Sequence, residues 1–273
     1  DDTAATLVVQ DDSLYLASLQ HPTVGWEWVS NGPQLVPLPV PGAATGAWKF
    51  ISKTAGDAST SFAFRNGALS LVSVWSGRNP GPGPVEHSVH VVNTASSPAV
   101  FNSSLRNIDL VARGVNKQTR FHAWSKTGFG KPEYKDIPLT SGARITIPTG
   151  GPTSGEGQYI PFGLISVDDA HGMYVGSEWE LGSFILGTTE GAGSDLEISL
   201  ATTFLEGSDQ IHIAAEAADP DVASNFTVPS TYYGTFAGDT DDGTNNFKSW
   251  FWQNKVTRSL YNNAAEPWTE ICW

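Results

Sequence analysis

Short β-rich runs separated by turn residues follow one another along most of this chain. Such runs cannot join into long helices, because the turn residues between them interrupt any helical periodicity. Asn-Gly is the preferred two-residue turn of a hairpin. Two hairpins are predicted: Leu7–Gln10 with Ser13–Leu16 around Asp11-Asp12, and Ser61–Arg65 with Ala68–Trp75 around Asn66-Gly67.

Further strands are predicted along the rest of the chain, joined by segments rich in glycine and proline. Residues 77–84 and 149–155 are two such segments, and proline within them lacks the N–H that a sheet ladder needs. The additional strands are Ser88–Val92, Ile108–Val111, Arg144–Ile147, Phe162–Val167, Met173–Trp179, Ser183–Gly187, Leu196–Thr203 and Gln210–Ala214. This many closely spaced strands predict an all-β fold, a large antiparallel β-sandwich.

The charge balance limits the partners that this chain can bind. Fifteen lysines and arginines against 28 aspartates and glutamates give a net charge of −13. A surface this acidic repels phosphate groups, so neither nucleic acid nor an anionic membrane is an expected partner. No apolar run approaches the roughly 18 residues of a transmembrane helix. Asp1–Ala5 lacks the basic start and apolar core of a signal peptide and is interpreted as a mature terminus.

Three residue types give information about the ligand and the cellular compartment of this protein: tryptophan, cysteine and asparagine. The ten tryptophans are large core residues that also offer flat surfaces for stacking on sugars. Cys272 is the only cysteine, so no disulfide forms within the chain, and its partner or its burial is expected beyond Trp273. The sequons that begin at Asn102 and Asn225 are compatible with eukaryotic secretion and glycosylation.

The densest acidic cluster is Asp239, Asp241 and Asp242, and it has three interpretations. Its carboxylates accept backbone N–H bonds in a turn, contact a sugar hydroxyl or a protein interface, or bind calcium. The spacing argues against calcium, because Gly243 stands one position early and Trp250 occupies the place of the final glutamate of an EF-hand loop. No metal or other cofactor is expected.

Two other groups of residues do not support a catalytic or metal site. Glu86, His87 and His90 are potential ligands, but strand positions i and i+3 point to opposite faces of a sheet. Serine, histidine and aspartate are present, but the Gly-X-Ser-X-Gly motif of a hydrolase nucleophile is not. Hydrolysis of a glycosidic bond needs two flanking carboxyl groups, and no such pair is assigned in this chain.

The sequence changes character after about residue 228, where an aromatic stretch follows the acidic cluster. Phe247, Trp250 and Phe251 have the i, i+3, i+4 spacing of a helix, whereas Trp250 and Trp252 alternate as in a strand. Periodicity therefore leaves helix and strand both open. In either case, residues 247–252 are expected to pack against the sandwich, because a free tail would leave too much apolar surface in water.

Two parts of the chain resemble a known family. Tyr159–Phe162 and Gly172–Trp179 resemble the I-P-F and G-x-Y-V-G-x-E-W strand pair of glycoside hydrolase family 36, the family of large α-galactosidases. Tyr233–Asn245, the aromatic stretch and Glu266–Trp268 resemble the segment that joins the amino-terminal supersandwich of that family to its catalytic barrel. Before about residue 159 the likeness is architectural.

The resemblance implies a domain organisation and a place for the chemistry. Residues 1–230 would form the β-supersandwich, and residues 231–273 would lead toward a (β/α)8 barrel that is absent from this chain. The retaining chemistry of the family uses two barrel aspartates, so no catalytic residue of this chain is assigned. The candidate carbohydrate-binding or barrel-interface residues are Glu178, Trp179, Asp239, Asp241, Asp242, Trp250, Trp252, Trp268 and Trp273.

The resemblance also implies a function. The chain is expected to be the amino-terminal part of a secreted α-galactosidase-like glycoside hydrolase, which packs on the catalytic barrel and helps to shape its carbohydrate site. Three explanations for the missing barrel stay open: an incomplete or clipped enzyme, one chain of a split enzyme, or a barrel-less lectin. The expected partners are a carbohydrate, most simply a galactoside, and a barrel, a second chain or another copy, with Trp268, Ile271 and Trp273 at the interface.

Overall fold

The computed structural model folds the chain almost entirely into strands. The described residues are 2–29, 32–41, 46–77, 83–102, 104–112, 118–125, 134–140, 142, 144–149, 159–168, 170–178, 182–188, 196–203, 210–215 and 224–254. They form eighteen strands and one helix, so the predicted all-β fold is confirmed. Within these ranges, no helix is long and apolar enough to cross a membrane.

A three-stranded antiparallel sheet contains β1 Ala4–Gln10, β2 Ser13–Gln20 and β3 Gln34–Leu35. Asp11 and Asp12 join the first two strands, with φ values of 47° and 63°. Positive φ at both central positions is typical of the type I′ turn, whose twist matches that of the strands it connects. The first predicted hairpin is therefore confirmed, with its turn at the predicted residues.

The second predicted hairpin is confirmed as well, but its turn lies one residue later than expected. Strands β5 Ser59–Asn66 and β6 Leu69–Ser76 pair along their full length, which leaves Gly67 and Ala68 as the turn. Only Gly67 of these two has positive φ, 59°, as in a type II′ turn. Asn66 ends its strand instead, and its side-chain amide donates to the Gly46 carbonyl at 2.7 Å.

A 13-stranded sheet holds most of the remaining strands. They are β4 Lys49–Ala55, β7 Val85–Asn93, β9 Ser104–Ala112, β10 Arg120–Ser125, β11 Tyr134–Pro138, β12 Arg144–Thr149, β13 Tyr159–Asp168, β14 His171–Ser177, β15 Gly182–Thr188, β16 Leu196–Thr203 and β18 Asn225–Ala237. The order is β4-β5-β6-β7-β18-β14-β13-β12-β15-β16-β9, and β10 pairs with β11 and β13. A separate pair joins β8 Ala99–Asn102 to β17 Gln210–Ile213.

The strands predicted from sequence are all present, but the longest strand, near the centre of the large sheet, was not among them. Strand β18 is 13 residues long and lies between β7 and β14. The boundary that the sequence analysis placed after residue 230 falls inside this strand, so residues 231–237 are part of the large sheet. Strands β3, β4, β8, β10 and β11 were also not predicted.

The large sheet changes direction where β12 meets β13. These two strands are parallel, and their ladder consists of the single pair Thr149 and Tyr159. Pro148 and Pro161 lie close to this pair and have no N–H to extend the ladder. Beyond it, β12, β15, β16 and β9 turn back over the core, so that the Phe121 ring of β10 lies 5.5 Å from the Phe184 ring of β15. The sheet thus contributes to both layers of a sandwich.

Apolar residues that alternate along the strands fill the space between the layers. Leu14 of β2, Phe64 of β5 and Phe184 of β15 are at most 2% exposed and belong to one cluster. A smaller cluster lies on the opposite, outer face of the large sheet, and its buried members are Phe162, Leu164, Tyr174 and Phe236. Strands β13, β14 and β18 are therefore buried on both faces.

A buried histidine lies on the inner face of β7. His87 is 4% exposed, its Nε2 lies 2.9 Å from Ser73 Oγ, and Trp75 stacks on its ring at 4.3 Å. Burial lowers the pKa of His87 to about 3. His90 is exposed on the opposite face and lies 3.0 Å from the Thr227 hydroxyl, so the two histidines do not face one another.

His87 should make the stability of the fold depend on pH in one direction. The unfolded histidine binds a proton near pH 6.5, whereas the folded one does so only near its pKa of about 3. Acidification from pH 6.5 toward 3 should therefore lower the free energy of unfolding, by at most about 1.4 kcal/mol per pH unit from this group. Urea unfolding of the wild type and His87→Gln at several pH values measures the difference in slope. Val92→Ala, at an exposed position of β7 without a titratable group, is the control and should keep the wild-type slope. Equal slopes for all three proteins would contradict the assignment.

Candidate functional site

Helix α1, Thr240–Asn254, resolves the alternatives that the aromatic spacing left open. Its first turn is a capping box. Asp239 Oδ1 accepts from the amides of Asp241 and Asp242 at 2.9 and 3.2 Å, and Asp242 Oδ2 accepts from the Asp239 amide at 3.1 Å. These bonds satisfy amides that have no partner within the helix. Asp239 and Asp242 therefore cap a helix, as the turn interpretation of the acidic cluster predicts.

The helix lies directly against the outer face of the large sheet because Gly243 has no side chain. A Cβ at this position would lie 2.7 Å from the Phe236 ring and 2.9 Å from Leu164 Cδ1. Contacts this short would push the helix outward, and overpacking of this kind costs about 1–3 kcal/mol. Alanine would be the better helix former by about 1 kcal/mol, so close packing outweighs helix propensity here.

Aromatic side chains on one side of α1 complete the outer cluster of the sheet. Phe247 stacks on Phe162 at 4.2 Å and meets Tyr174 edge-on at 5.5 Å. Trp250 is 5% exposed and meets Tyr232 edge-on at 5.0 Å. The prediction that this aromatic stretch packs against the sandwich is confirmed for these two side chains. The burial of Trp250 makes it an anchor of the helix rather than an exposed platform.

Glu178 lies immediately after β14 and beside the Trp250 anchor. Its Oε1 accepts from the Tyr232 hydroxyl at 2.6 Å, and its Oε2 accepts from the Ser230 amide at 3.2 Å. Burial, together with the hydrogen bond to Glu178, raises the pKa of Tyr232, so the phenol remains a neutral donor. Glu178 itself is exposed, so its carboxylate is held in a fixed position at the surface.

The predicted site residues that the structure describes fall into two groups. Glu178 and Trp250 are linked through Tyr232, whereas the three aspartates lie at the other end of α1. Trp252 is half-buried and follows Asp241 by eleven positions, a rise of about 16 Å at about 1.5 Å per residue. The two groups therefore do not form one site. Trp179, Trp268 and Trp273 lie outside the described residues, as do Ile271 and Cys272.

The carboxylates around α1 have hydrogen-bond partners within the chain. The carboxylates of Glu178, Asp239 and Asp242 each hold an amide or hydroxyl of the chain itself. In the part of the chain that the structure describes, no group of three histidine, cysteine, aspartate or glutamate side chains is placed to hold a metal ion. Tyr232, which links Glu178 to Trp250, was not predicted as a site residue. It lies in β18, a strand that was not recognised from the sequence.

The described residues thus define a β-sandwich whose large sheet carries a helix on its outer face. No protein-family model and no curated protein matches this sequence. Among solved structures, the α-galactosidase from Lactobacillus brevis matches with a TM-score of 0.58 and 11% identity over 92% of this chain and 40% of that chain. The galactosidase domain of the α-galactosidase–sucrose kinase AgaSK matches with a TM-score of 0.59 and 10% identity, over 87% of this chain and 40% of that one.

A third match carries a ligand. The family 36 α-galactosidase AgaA from Geobacillus stearothermophilus, as a variant in complex with raffinose, has a TM-score of 0.53 and 8% identity, over 89% of this chain and 42% of that chain. The fold is therefore the one found in part of the family 36 α-galactosidases, as the resemblance in sequence implied. This chain spans about two fifths of the length of those enzymes.

The capping role of Asp239 can be tested by its effect on the stability of the fold. Asp239→Ala removes the acceptor of two helix amides and should lower the free energy of unfolding by about 0.5–2 kcal/mol. Asp239→Ser keeps a capping oxygen and should recover most of that loss. Urea unfolding of the two variants and the wild type gives the comparison. Equal stability of Asp239→Ala and the wild type would show that the cap contributes nothing measurable.

Proposed function

We propose that this chain is the amino-terminal β-sandwich of a secreted α-galactosidase-like glycoside hydrolase. In this proposal the sandwich packs on a catalytic barrel and helps to shape the carbohydrate site, while the barrel supplies the acid and the nucleophile. The observation that carries the proposal is the fold, since 87–92% of this chain matches 40–42% of each α-galactosidase described above. The bound raffinose of one of those enzymes supports an α-galactoside as the substrate class.

In the proposed enzyme, helix α1 meets the barrel. Phe247 and Trp250 fix one side of the helix to the sheet, and Lys248 and Ser249 are exposed on the other side. Trp252 near its end is half-buried and adds apolar area of the kind that a domain interface covers. The chain then continues toward Glu266–Trp268, which resembles part of the lead-in to the barrel.

Glu178 supplies the polar part of this surface. Two hydrogen bonds fix its carboxylate, so little side-chain entropy is lost when a partner group binds it. A carboxylate held in this way accepts sugar hydroxyls or barrel amides without contributing a proton to the reaction. In the proposed enzyme, Glu178 is a positioning residue.

The activity of the isolated chain and of a longer polypeptide tests the proposal. The 273-residue chain alone should not hydrolyse 4-nitrophenyl α-galactoside, because the carboxyl pair of the reaction belongs to the barrel. A polypeptide that includes the coding sequence after Trp273 should contain a barrel and be active. In that polypeptide, Glu178→Gln should lower kcat/KM by about tenfold or more, equivalent to about 1.4 kcal/mol of binding.

Asp57→Asn is the matched control, because Asp57 is an exposed carboxylate on the turn between β4 and β5. It should leave kcat/KM unchanged. Turnover by the pure isolated chain, abolished by Asp239→Asn or Asp241→Asn, would overturn the proposal. A downstream sequence without a barrel, together with saccharide binding by the isolated chain, would favour the alternative function, a barrel-less lectin.

Secretion predicts a measurable modification. Asn102 and Asn225 are both exposed, at the end of β8 and the start of β18, so both sequons are accessible to a glycosyltransferase. Protein secreted from a eukaryotic host should exceed the 29.1 kDa of the bare chain, and Asn102→Gln with Asn225→Gln should remove the excess. Intact mass spectrometry measures this excess. A mass equal to that of the bare polypeptide would count against the secretory route.

A further inference from the structure

A second surface, on the outer side of β10 and β11, combines an exposed aromatic ring with fixed polar groups. Tyr134 opens β11 and is 50% exposed. Its ring lies parallel to that of His122 at 5.7 Å and tilted against Trp124 at 5.6 Å. Arg120 and Asp136 pair beside it. We call Arg120, Trp124, Tyr134 and Asp136 the Tyr134 face.

A buried hydrogen-bond network holds the Tyr134 ring in place. The hydroxyl of Tyr134 bonds to His122 Nδ1, and His122 Nε2 lies 2.8 Å from Ser166 Oγ. His122 and Ser166 are 4% and 6% exposed, so this network lies beneath the surface. Burial lowers the pKa of His122, which keeps the ring neutral. The exposed tyrosine is thus preorganised, and a ligand that stacks on it does not have to order it.

The charges on the face select the kind of ligand. Arg120 and Asp136 are of opposite sign and neutralise one another, and Asp241, at the start of α1, is close enough to influence Tyr134. A phosphate or carboxylate ligand would meet Asp136 and Asp241 as well as the net charge of −13. A cationic ligand would have to displace Arg120 from the Asp136 carboxylate. The face is therefore suited to a neutral molecule that is apolar on one side and rich in hydroxyl groups at its edge.

We propose that the Tyr134 face binds a neutral saccharide, with one pyranose ring stacked on Tyr134 and its hydroxyl groups bonded to Arg120 and Asp136. Guanidinium and carboxylate groups offer the planar pairs of donors and acceptors that adjacent hydroxyls match. This site belongs to strands of the sandwich and is distinct from Glu178. Saccharide binding at the Tyr134 face does not require a barrel, so its test is independent of the test of the proposed function.

Saccharide binding by the isolated 273-residue chain tests this inference. Saturation-transfer NMR and titration with methyl α-galactoside and raffinose should show binding to the wild type. Tyr134→Ala should weaken it by about tenfold or more, since about 1.4 kcal/mol of ring contact is lost. Tyr134→Phe retains the ring but loses the hydroxyl bond to His122, so it should bind about threefold more weakly than the wild type and more tightly than Tyr134→Ala. Asp136→Asn should weaken binding through the hydroxyl contacts while leaving the ring in place.

Ile51→Ala is the matched control, because Ile51 is 59% exposed on β4 and lies on a different strand pair. It should leave affinity unchanged, and the unfolding midpoints of all variants should show that they are folded. No binding by the folded wild type at saccharide concentrations up to about 50 mM would overturn the proposal. Binding that is equal in the wild type, Tyr134→Ala and Asp136→Asn would overturn it too, as would binding of tetramethylammonium in place of the sugars.

Discussion

The fold depends on burying both faces of one central strand. Residues of β18 alternate between two apolar environments, so that Tyr233 belongs to the inner core while Phe236 belongs to the outer cluster. A strand buried on both faces needs a cover on each side. The layer built from β1 and β2, with the strands that turn back over the core, provides one cover, and α1 provides the other. Removal of either cover would expose aromatic surface at the centre of the molecule.

The candidate site is a consequence of this second cover. The helix approaches the sheet closely because Gly243 leaves room for Phe236 and Leu164. Its position in turn places Trp250 against Tyr232, the residue that holds the Glu178 carboxylate. The position of the Glu178 carboxylate is therefore determined by the aromatic packing beneath it. In the proposed enzyme, binding geometry and fold stability share these residues.

Local patterns predicted the local structure well, and the failures came from long-range pairing. Turn chemistry located both hairpins, although the turn at Gly67 was placed one residue early because Asn-Gly does not itself determine register. Strands β10 and β11 escaped prediction because arginine, histidine, lysine and aspartate interrupt their apolar pattern. The aspartates and Glu178 were grouped together from sequence, but a helix of 15 residues separates them. The Tyr134 face combines residues of two strands, a contact that no local pattern encodes.

The single residue pair that joins β12 to β13 gives the sandwich a line of weakness in its hydrogen bonding. Its two layers are held together by apolar contact across the core, since the ladder there contributes almost nothing. Among the described residues, β12 pairs along its length with β15 and meets β13 only at Thr149, so most of its other side is a strand edge. Such an edge is the usual starting point for association between chains. Pro148 lies on this strand and has no N–H to donate to a foreign strand. The residue next to the last rung of the ladder thus also limits the pairing of this edge with other chains.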